Sequence, residues 1–490
     1  MLFHSFSFIF FFLPAAFVVY FGLQRMGLER AAKGWLVLAS LFFYSWWNVS
    51  YLPLILGSMI VNFQVGSRLA RSRSSSGLLS RKQLLAGGVI FNLGLLGYFK
   101  YADFFVANVN WGLQANFALP EVVLPLAISF FTFQQIAYLV DSYREDSPEY
   151  EWLNYALFVT FFPQLIAGPI VHHKEMMPQF ADKSNAIRQY RNIAMGLFIF
   201  SIGLFKKIII ADTFGQWATP GFDTAPELTF WAAWGTSLSY TFQLYFDFTA
   251  YMDMAIGAAL LFNIRLPINF NAPYRALDIQ DFWRRWHMTL SRFLRDYLYI
   301  PLGGNRQGTA RTYLNIFLTF LLGGLWHGAG WMFVTWGALH GAALILHRIW
   351  QQVGFRLPAL LAWFLTFQFV NFAWIFFRAE TMSDAAKVIR GMLGLTGGPL
   401  PNAWVATLSE VNPGEAIYIA LRFAGGRIEE ILLLLCAALL LGWVKNSHVV
   451  IQEWRPSIGV LGITLIAFWL SILSLLGDPS QTSEFLYFNF

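Results

Sequence analysis

Apolar runs long enough to cross a bilayer recur along almost the whole chain, and no other feature limits its fold as strongly. A helix needs about 20 mostly apolar residues to span the hydrocarbon core. Such runs lie near 5–23, 34–49, 51–67, 84–106, 121–140, 152–170, 192–211, 228–246 and 248–263. More lie near 312–325, 328–347, 357–377, 430–444 and 457–477. In lipid every backbone polar group must be satisfied within the protein, so these runs are helices. They predict an all-α polytopic membrane protein of about 11–13 tilted, membrane-embedded helices, some re-entrant, in one integral-membrane unit over 1–490.

Composition enters where alternatives must be excluded. Only 12% of the 490 residues are charged, and 57% are hydrophobic. A soluble chain carries roughly twice that charge, so separate soluble domains are excluded. The single Cys436 excludes an intramolecular disulfide and a cysteine metal cage, and its apolar run makes it a small buried hydrophobe. Met1–Gln24 contains no Lys or Arg and so lacks the basic start of a cleavable signal; it is the first transmembrane helix, near Ser5–Leu23. The net charge of +6 is explained by basic cytoplasmic loops, and no basic stripe on a soluble domain points to nucleic acid.

Those loops orient the chain. Arg25, Arg30 and Lys33 follow the first run; Arg68, Arg71, Arg73, Arg81 and Lys82 follow the third, around a Ser-rich connector. The alternation places the N-terminus outside and the basic loops in the cytoplasm. The mostly acidic connection Asp141–Glu151 breaks the pattern.

Ile264–Arg311 is the least bilayer-like part of the middle. Eight arginines face three aspartates there, threaded with Trp283, Trp286, Phe293, Tyr297 and Tyr299. Pro267, Pro273, Pro301 and the Gly303-Gly304 pair prevent one continuous helix. An Arg-aromatic segment of this kind lies in the interface or re-enters the protein. Two readings stand open: a surface helix with snorkelling arginines, or a cytoplasmic mouth that attracts an anionic cosubstrate.

Polar groups at membrane depth are costly and tend to be functional. The stretch Thr312–Leu346 lacks Asp, Glu, Lys and Arg but holds His327 and His340. His327 sits in Gly323-Gly324-Leu325-Trp326-His327-Gly328-Ala329-Gly330, where small residues admit close backbone approach. Imidazole suits proton removal from a hydroxyl near neutral pH, so His327 is either a catalytic base or a buried structural histidine. His287 is a second candidate; helical spacing places Arg284 and Ser291 on its face. Interfacial packing explains the remaining histidines, and His340 and His347 share a helical face. No HExxH spacing supports zinc. Phe246–Met254 forms another polar island, in which Asp247 and Tyr251 share a face and Asp253 follows. Its carboxylates form a proton or ion relay, or brace a broken helix.

At these motifs the sequence resembles the membrane-bound O-acyltransferases, in particular the bacterial branch of alginate O-acetyltransferase membrane subunits. Gly97–Tyr101, Ser129–Gln134, Asp141–Arg144 and Phe161–Pro169 carry the resemblance, followed by the Asp247/Asp253 island and Asn269–Tyr274. The Trp283–Ser291 and Trp326–Gly328 blocks complete it. The resemblance implies a ring of tilted helices around a thinned centre with a transmembrane tunnel. It assigns the catalytic histidine to His327 and the second polar position to His287. It implies acetyl-CoA, or another cytoplasmic acetyl donor, as cosubstrate, with no tightly bound cofactor and no metal. Trp283, Arg284, Arg285, Trp286, Ser291, Asn305 and Trp326 are expected along the donor path, and Asp247, Tyr251 and Asp253 in structural roles. His327 would act as base toward an acceptor hydroxyl, with His287 orienting the thioester or stabilising the oxyanion.

The tail 484–490 ends Phe485-Leu486-Tyr487-Phe488-Asn489-Phe490. The resemblance suggests Tyr487 as a transient acyl acceptor; an aromatic interfacial anchor is the plainer reading. It also implies the bacterial inner membrane, a periplasmic esterase-like (SGNH-type) partner, and a polysaccharide acceptor reached through it. Alginate comes first, with cellulose, another exopolysaccharide, peptidoglycan and D-alanyl transfer to teichoic acid behind. A transporter would use Asp247 and Asp253 as an ion path, but no inverted repeat is visible. A non-catalytic scaffold would have no use for His327 in a glycine-lined pocket.

Overall fold

The computed structural model describes residues 1–71, 80–144, 151–397, 447–477 and 483–486. The expected run at 430–444 with Cys436, and Tyr487, lie outside the described residues. Among the described residues every regular element is helical. In chain order these are α1 (Leu13–Arg25), α2 (Glu29–Ser45), α3 (Leu52–Arg71), α4 (Arg81–Leu113) and α5 (Ile128–Arg144). Next come α6 (Trp152–Thr160), α7 (Phe162–Leu165), α8 (His173–Ala181), α9 (Tyr190–Phe205), α10 (Asp212–Thr219) and α11 (Phe230–Leu261). Then follow α12 (Ile279–Arg285), α13 (Met288–Leu294), α14 (Thr309–His327), α15 (Trp331–Val353), α16 (Ala359–Arg378) and α17 (Met382–Met392). Finally come α18 (Ser447–Glu453) and α19 (Ile458–Gly477).

Seven helices among the described residues are long and apolar enough to cross a membrane. They are Ser7–Arg25, Val49–Arg71, Arg81–Leu113, Tyr190–Thr224, Phe230–Leu261, Ala359–Arg378 and Ile458–Gly477. The chain is a multi-pass, all-α membrane protein.

Several boundaries differ from the sequence expectation, each for a local reason. The runs at 228–246 and 248–263 are one helix, α11, because neither Gly nor Pro interrupts Phe246–Met254 and both carboxylates find lysines on a neighbouring helix. The island therefore braces an unbroken helix. The run at 152–170 is not one span: α6 stops at Thr160, and Pro163 starts the short α7, where its missing N–H costs nothing. The run at 121–140 becomes helical only from Ile128, three residues after Pro125. As expected, 264–311 is no continuous helix; it forms α12, α13 and single turns.

The central α11 is almost wholly buried and packs along α9. A Cβ on Gly196 would lie 2.7 Å from the Gly257 carbonyl, and the reverse holds at Gly257, so the two backbones touch through this glycine pair.

The described residues at the two ends of the acidic connection meet residues of the basic loops. Glu151 lies 3.5 Å from Arg30, and Asn154 accepts from Lys33 at 2.9 Å. Arg81 donates to the Tyr143 carbonyl at 3.0 Å, and Arg144 to that of Asp296 at 3.4 Å. One basic face of the protein therefore gathers Arg30, Lys33, Arg81, the C-terminal end of α5 and the Arg-rich segment.

Candidate active site

His327 is the last residue of α14, and Gly328 leaves the helix in extended conformation. A helix end in lipid leaves carbonyls without intrahelical partners. Here α4 supplies them. The buried Lys100 ammonium donates to the carbonyls of Trp326 and His327, and to Ser129 Oγ at 3.0 Å. Tyr101 donates to the Leu325 carbonyl at 2.8 Å. Lys100 forms no ion pair with a carboxylate among the described residues, so its charge faces the negative end of the α14 dipole. The path along α4 from Arg81 to Lys100 is about 28 Å at 1.5 Å per residue, which places His327 deep relative to the basic face.

His287 does not lie on a continuous helix. It occupies the junction of α12 and α13 with φ +42°, so the expected helical alignment with Arg284 and Ser291 is replaced by a kink. The kink turns its ring inward to Asn269. Asn269 Oδ1 accepts from the Thr289 main chain (3.1 Å) and Thr289 Oγ1 (2.9 Å), and lies 3.1 Å from His287 Nδ1. The oxygen is fixed as an acceptor by the Thr289 N–H, so Nδ1 of a neutral His287 carries the proton and Nε2 presents its lone pair. The His287 and His327 rings are 6.4 Å apart, and both are buried.

Two aromatic ladders converge on His327. One climbs from the basic face: Tyr297 on Phe293 (4.9 Å), Phe293 on Phe133 (4.1 Å), Phe133 on Trp326 (5.1 Å), Trp326 on His327 (5.0 Å). The other starts at Trp283, which meets His340 (5.2 Å), then Trp336 (4.8 Å), then His327 (5.0 Å). Trp283 Nε1 donates to His340 Nδ1 at 3.1 Å, which leaves the His340 proton on Nε2. His340 is thus a core member of the site, not interfacial packing.

Trp283 and Ser291 line two adjoining clefts, of about 440 and 600 Å³. Asn305, Arg295 and Arg348 line the first; Arg284, Arg292 and Arg295 line the second. Four arginines thus line clefts whose wall continues into the second ladder, and two of them, Arg292 and Arg295, also pair with Glu175 and Asp296. Arg285 instead pairs with Asp281 at 2.9 Å, and Trp286 is buried against Trp374 and Tyr274, away from the clefts. Trp326 ends the first ladder.

The carboxylate island has specific partners. Lys206 pairs with Asp253 at 2.7 Å, and Lys207 holds both Asp247 and Asp212 at 2.8 Å. The C-terminal segment enters this cluster: Ser483 Oγ donates to Asp212 at 2.6 Å, and the Leu486 main chain to Asp247 Oδ2 at 2.9 Å. Phe485 stacks on Tyr251 at 4.3 Å and touches Phe248 at 5.7 Å. Phe248 in turn meets His287 edge-on at 5.0 Å.

Sequence reasoning missed Lys100, Lys207, Asn269 and Trp336. A lone lysine inside the apolar run 84–106, and a lysine pair inside 192–211, were the available signals. Asn269 opens the Asn269–Tyr274 block, but its role, like that of Trp336, depends on neighbours from other segments.

The sequence profile of the membrane-bound O-acyltransferase family matches residues 92–379. A peptidoglycan O-acetyltransferase of Helicobacter pylori is 48% identical, covering 100% of this chain and 98% of the relative. A probable alginate O-acetylase of Pseudomonas aeruginosa is 40% identical, covering 87% of this chain and 82% of its own length. A teichoic acid D-alanyltransferase of Streptococcus thermophilus is 26% identical over 46% of this chain and 57% of its own.

Proposed function

The chain belongs to the membrane-bound O-acyltransferase family, and from that premise we propose that it passes acetyl groups from a cytoplasmic thioester donor to a cell-envelope glycan. The observation that carries this reading is the buried His287–His327 pair at the meeting point of the two ladders. Acetyl-CoA suits the donor role because its phosphates match Arg284 and Arg348 of the clefts, and its thin pantetheine arm suits an aromatic-walled approach. His327 takes the proton of the attacking hydroxyl. His287, whose ring lies 6.4 Å from that of His327, packs against the same space and orients the thioester. Thioesters are activated, so positioning and one base suffice.

Peptidoglycan is the glycan placed first, because the relative matched over the full chain carries that name; alginate follows. The chain sits in the bacterial inner membrane, and Tyr487 is the residue through which the acetyl group leaves to a periplasmic esterase-like (SGNH-type) partner. Support comes from the preceding residues: Leu486 is tied to Asp247, and Phe485 reaches His287 through Phe248.

The test uses purified full-length protein in nanodiscs with acetyl-CoA labelled in the acetyl group. Wild type should release CoA and His327→Ala should not; normal release by His327→Ala would sink the assignment. In cells, Tyr487→Phe should lose wall-glycan acetylation. Unchanged acetylation there removes the relay, and loss confined to an exopolysaccharide turns the acceptor to the alginate class.

A further inference from the structure

Attack on a thioester carbonyl places negative charge on its oxygen, and that oxygen needs N–H donors held in place beforehand. The neutral His287 cannot be one, because Asn269 fixes its proton on Nδ1 and leaves Nε2 an acceptor. Two other donors flank His327. Trp326 and Trp336, the last members of the two ladders, each have their ring 5.0 Å from the imidazole. They are 4% and 1% exposed, and neither indole Nε1 meets an acceptor among the described residues. Buried donors of this kind are rare in folded interiors and call for an acceptor from elsewhere. Phe130, Phe133 and Phe377 pack around the same rings, so apolar packing there does not by itself call for an indole. An indole adds an N–H and a larger ring.

The geometry points to an oxyanion site built from the indole N–H groups of Trp326 and Trp336, which takes the carbonyl oxygen of an acyl thioester. The inference rests on His327 being the base. His327 removes the proton of the acceptor hydroxyl as that oxygen bonds to the carbonyl carbon. The π pair moves onto the carbonyl oxygen, which accepts from the two indoles. The pair then returns, the carbon–sulfur bond breaks, and the thiolate leaves with the proton that His327 took. The trigonal thioester and the tetrahedral intermediate place their oxygen differently. The donors therefore favour the second and act on kcat.

Trp326→Phe and Trp336→Phe keep an aromatic ring at each position and remove one donor each. In full-length protein in nanodiscs, with acetyl-CoA as the probe, each should lower kcat for CoA release on the order of 100-fold. KM should stay at the wild-type value, and the thermal unfolding midpoint should fall only slightly, as for a small buried cavity. Trp331→Phe is the control: its indole donates to Asn108 at the other end of the α14–α15 turn, and its loss should leave kcat unchanged. Wild-type kcat in both ladder variants, while His327→Ala is inactive, overturns the oxyanion site alone. A fall in KM performance and unfolding midpoint with kcat kept shows that the indoles only pack, and also overturns it. CoA release that persists in His327→Ala, or none from wild type, overturns the underlying assignment of His327 as well.

Discussion

Lys100 and Trp326 stand 226 residues apart in sequence, and the ammonium of the first donates to the main-chain carbonyl of the second. The same ammonium reaches the His327 carbonyl at 3.3 Å. The end of α14, and with it the His327 backbone, is therefore held by α4. In Lys100→Met the carbonyls lose their donor inside an apolar environment, at a cost of about 1–3 kcal/mol. We expect a lower unfolding midpoint in detergent and a drop in CoA release of about tenfold or more. Lys100→Arg retains charge and donors and should recover part of both. Wild-type turnover in Lys100→Met would separate the cap from the chemistry.

Lys207 is the sole cation touching both Asp212 and Asp247 among the described residues. Removing one partner of a buried ion cluster costs about 3–5 kcal/mol, because the remaining charges stay buried. Lys207→Met should therefore be the most destabilising single change in this region. The triple variant Lys207→Met/Asp212→Asn/Asp247→Asn removes all three charges and should recover most of the loss. Thermal unfolding in one detergent across the series checks both statements. Because Ser483 and Leu486 are tied to the same carboxylates, Lys207→Met should also make the C-terminal tail more accessible to carboxypeptidase.

The membrane class, most of the long helices and the two histidines were legible in the sequence because hydropathy acts locally and a polar residue in an apolar run stands out. His327 and His287 could each be singled out, but not their 6.4 Å separation, which depends on a kink at φ +42° that no propensity rule places at a histidine. Asp247 and Asp253 were legible as a pair in need of partners. Lys206 and Lys207 answer that need across two helices, and helix pairing is not encoded in the local pattern. Arg284 and Arg285 look equivalent in sequence, yet one lines a cleft and the other pairs with Asp281, a difference of one position around a short helix.

Gly324 and Gly337 let α14 and α15 touch. A Cβ on Gly324 would run into the Phe333 carbonyl and lie 2.9 Å from Gly337 Cα; one on Gly337 would run into the Phe320 carbonyl. Backbone cannot yield as a side chain can, so the helices would have to separate. His327 lies one turn beyond Gly324, so that separation moves the site. Gly324→Ala should lower both abundance and turnover. Gly94→Ala, whose added methyl meets nothing within 4 Å on α4, should change neither. Fluorescence-detected size exclusion and the CoA assay distinguish the two.

Asn269 Oδ1 collects three donors, His287 Nδ1 and the Thr289 main chain and hydroxyl, and so decides which way the His287 ring faces. Asn269→Leu leaves the ring without that partner and lets its proton sit on either nitrogen. Turnover should fall by about tenfold or more, the equivalent of one lost hydrogen bond at roughly 1.4 kcal/mol. Asn269→Asp keeps the acceptor and adds a negative charge, which favours the imidazolium form of His287. The neutral ring is then lost at a higher pH than in wild type, so the acid limb of the pH–rate profile should move upward while the plateau stays closer to wild type than in Asn269→Leu. A ring that served packing alone would leave the acid limb where it was.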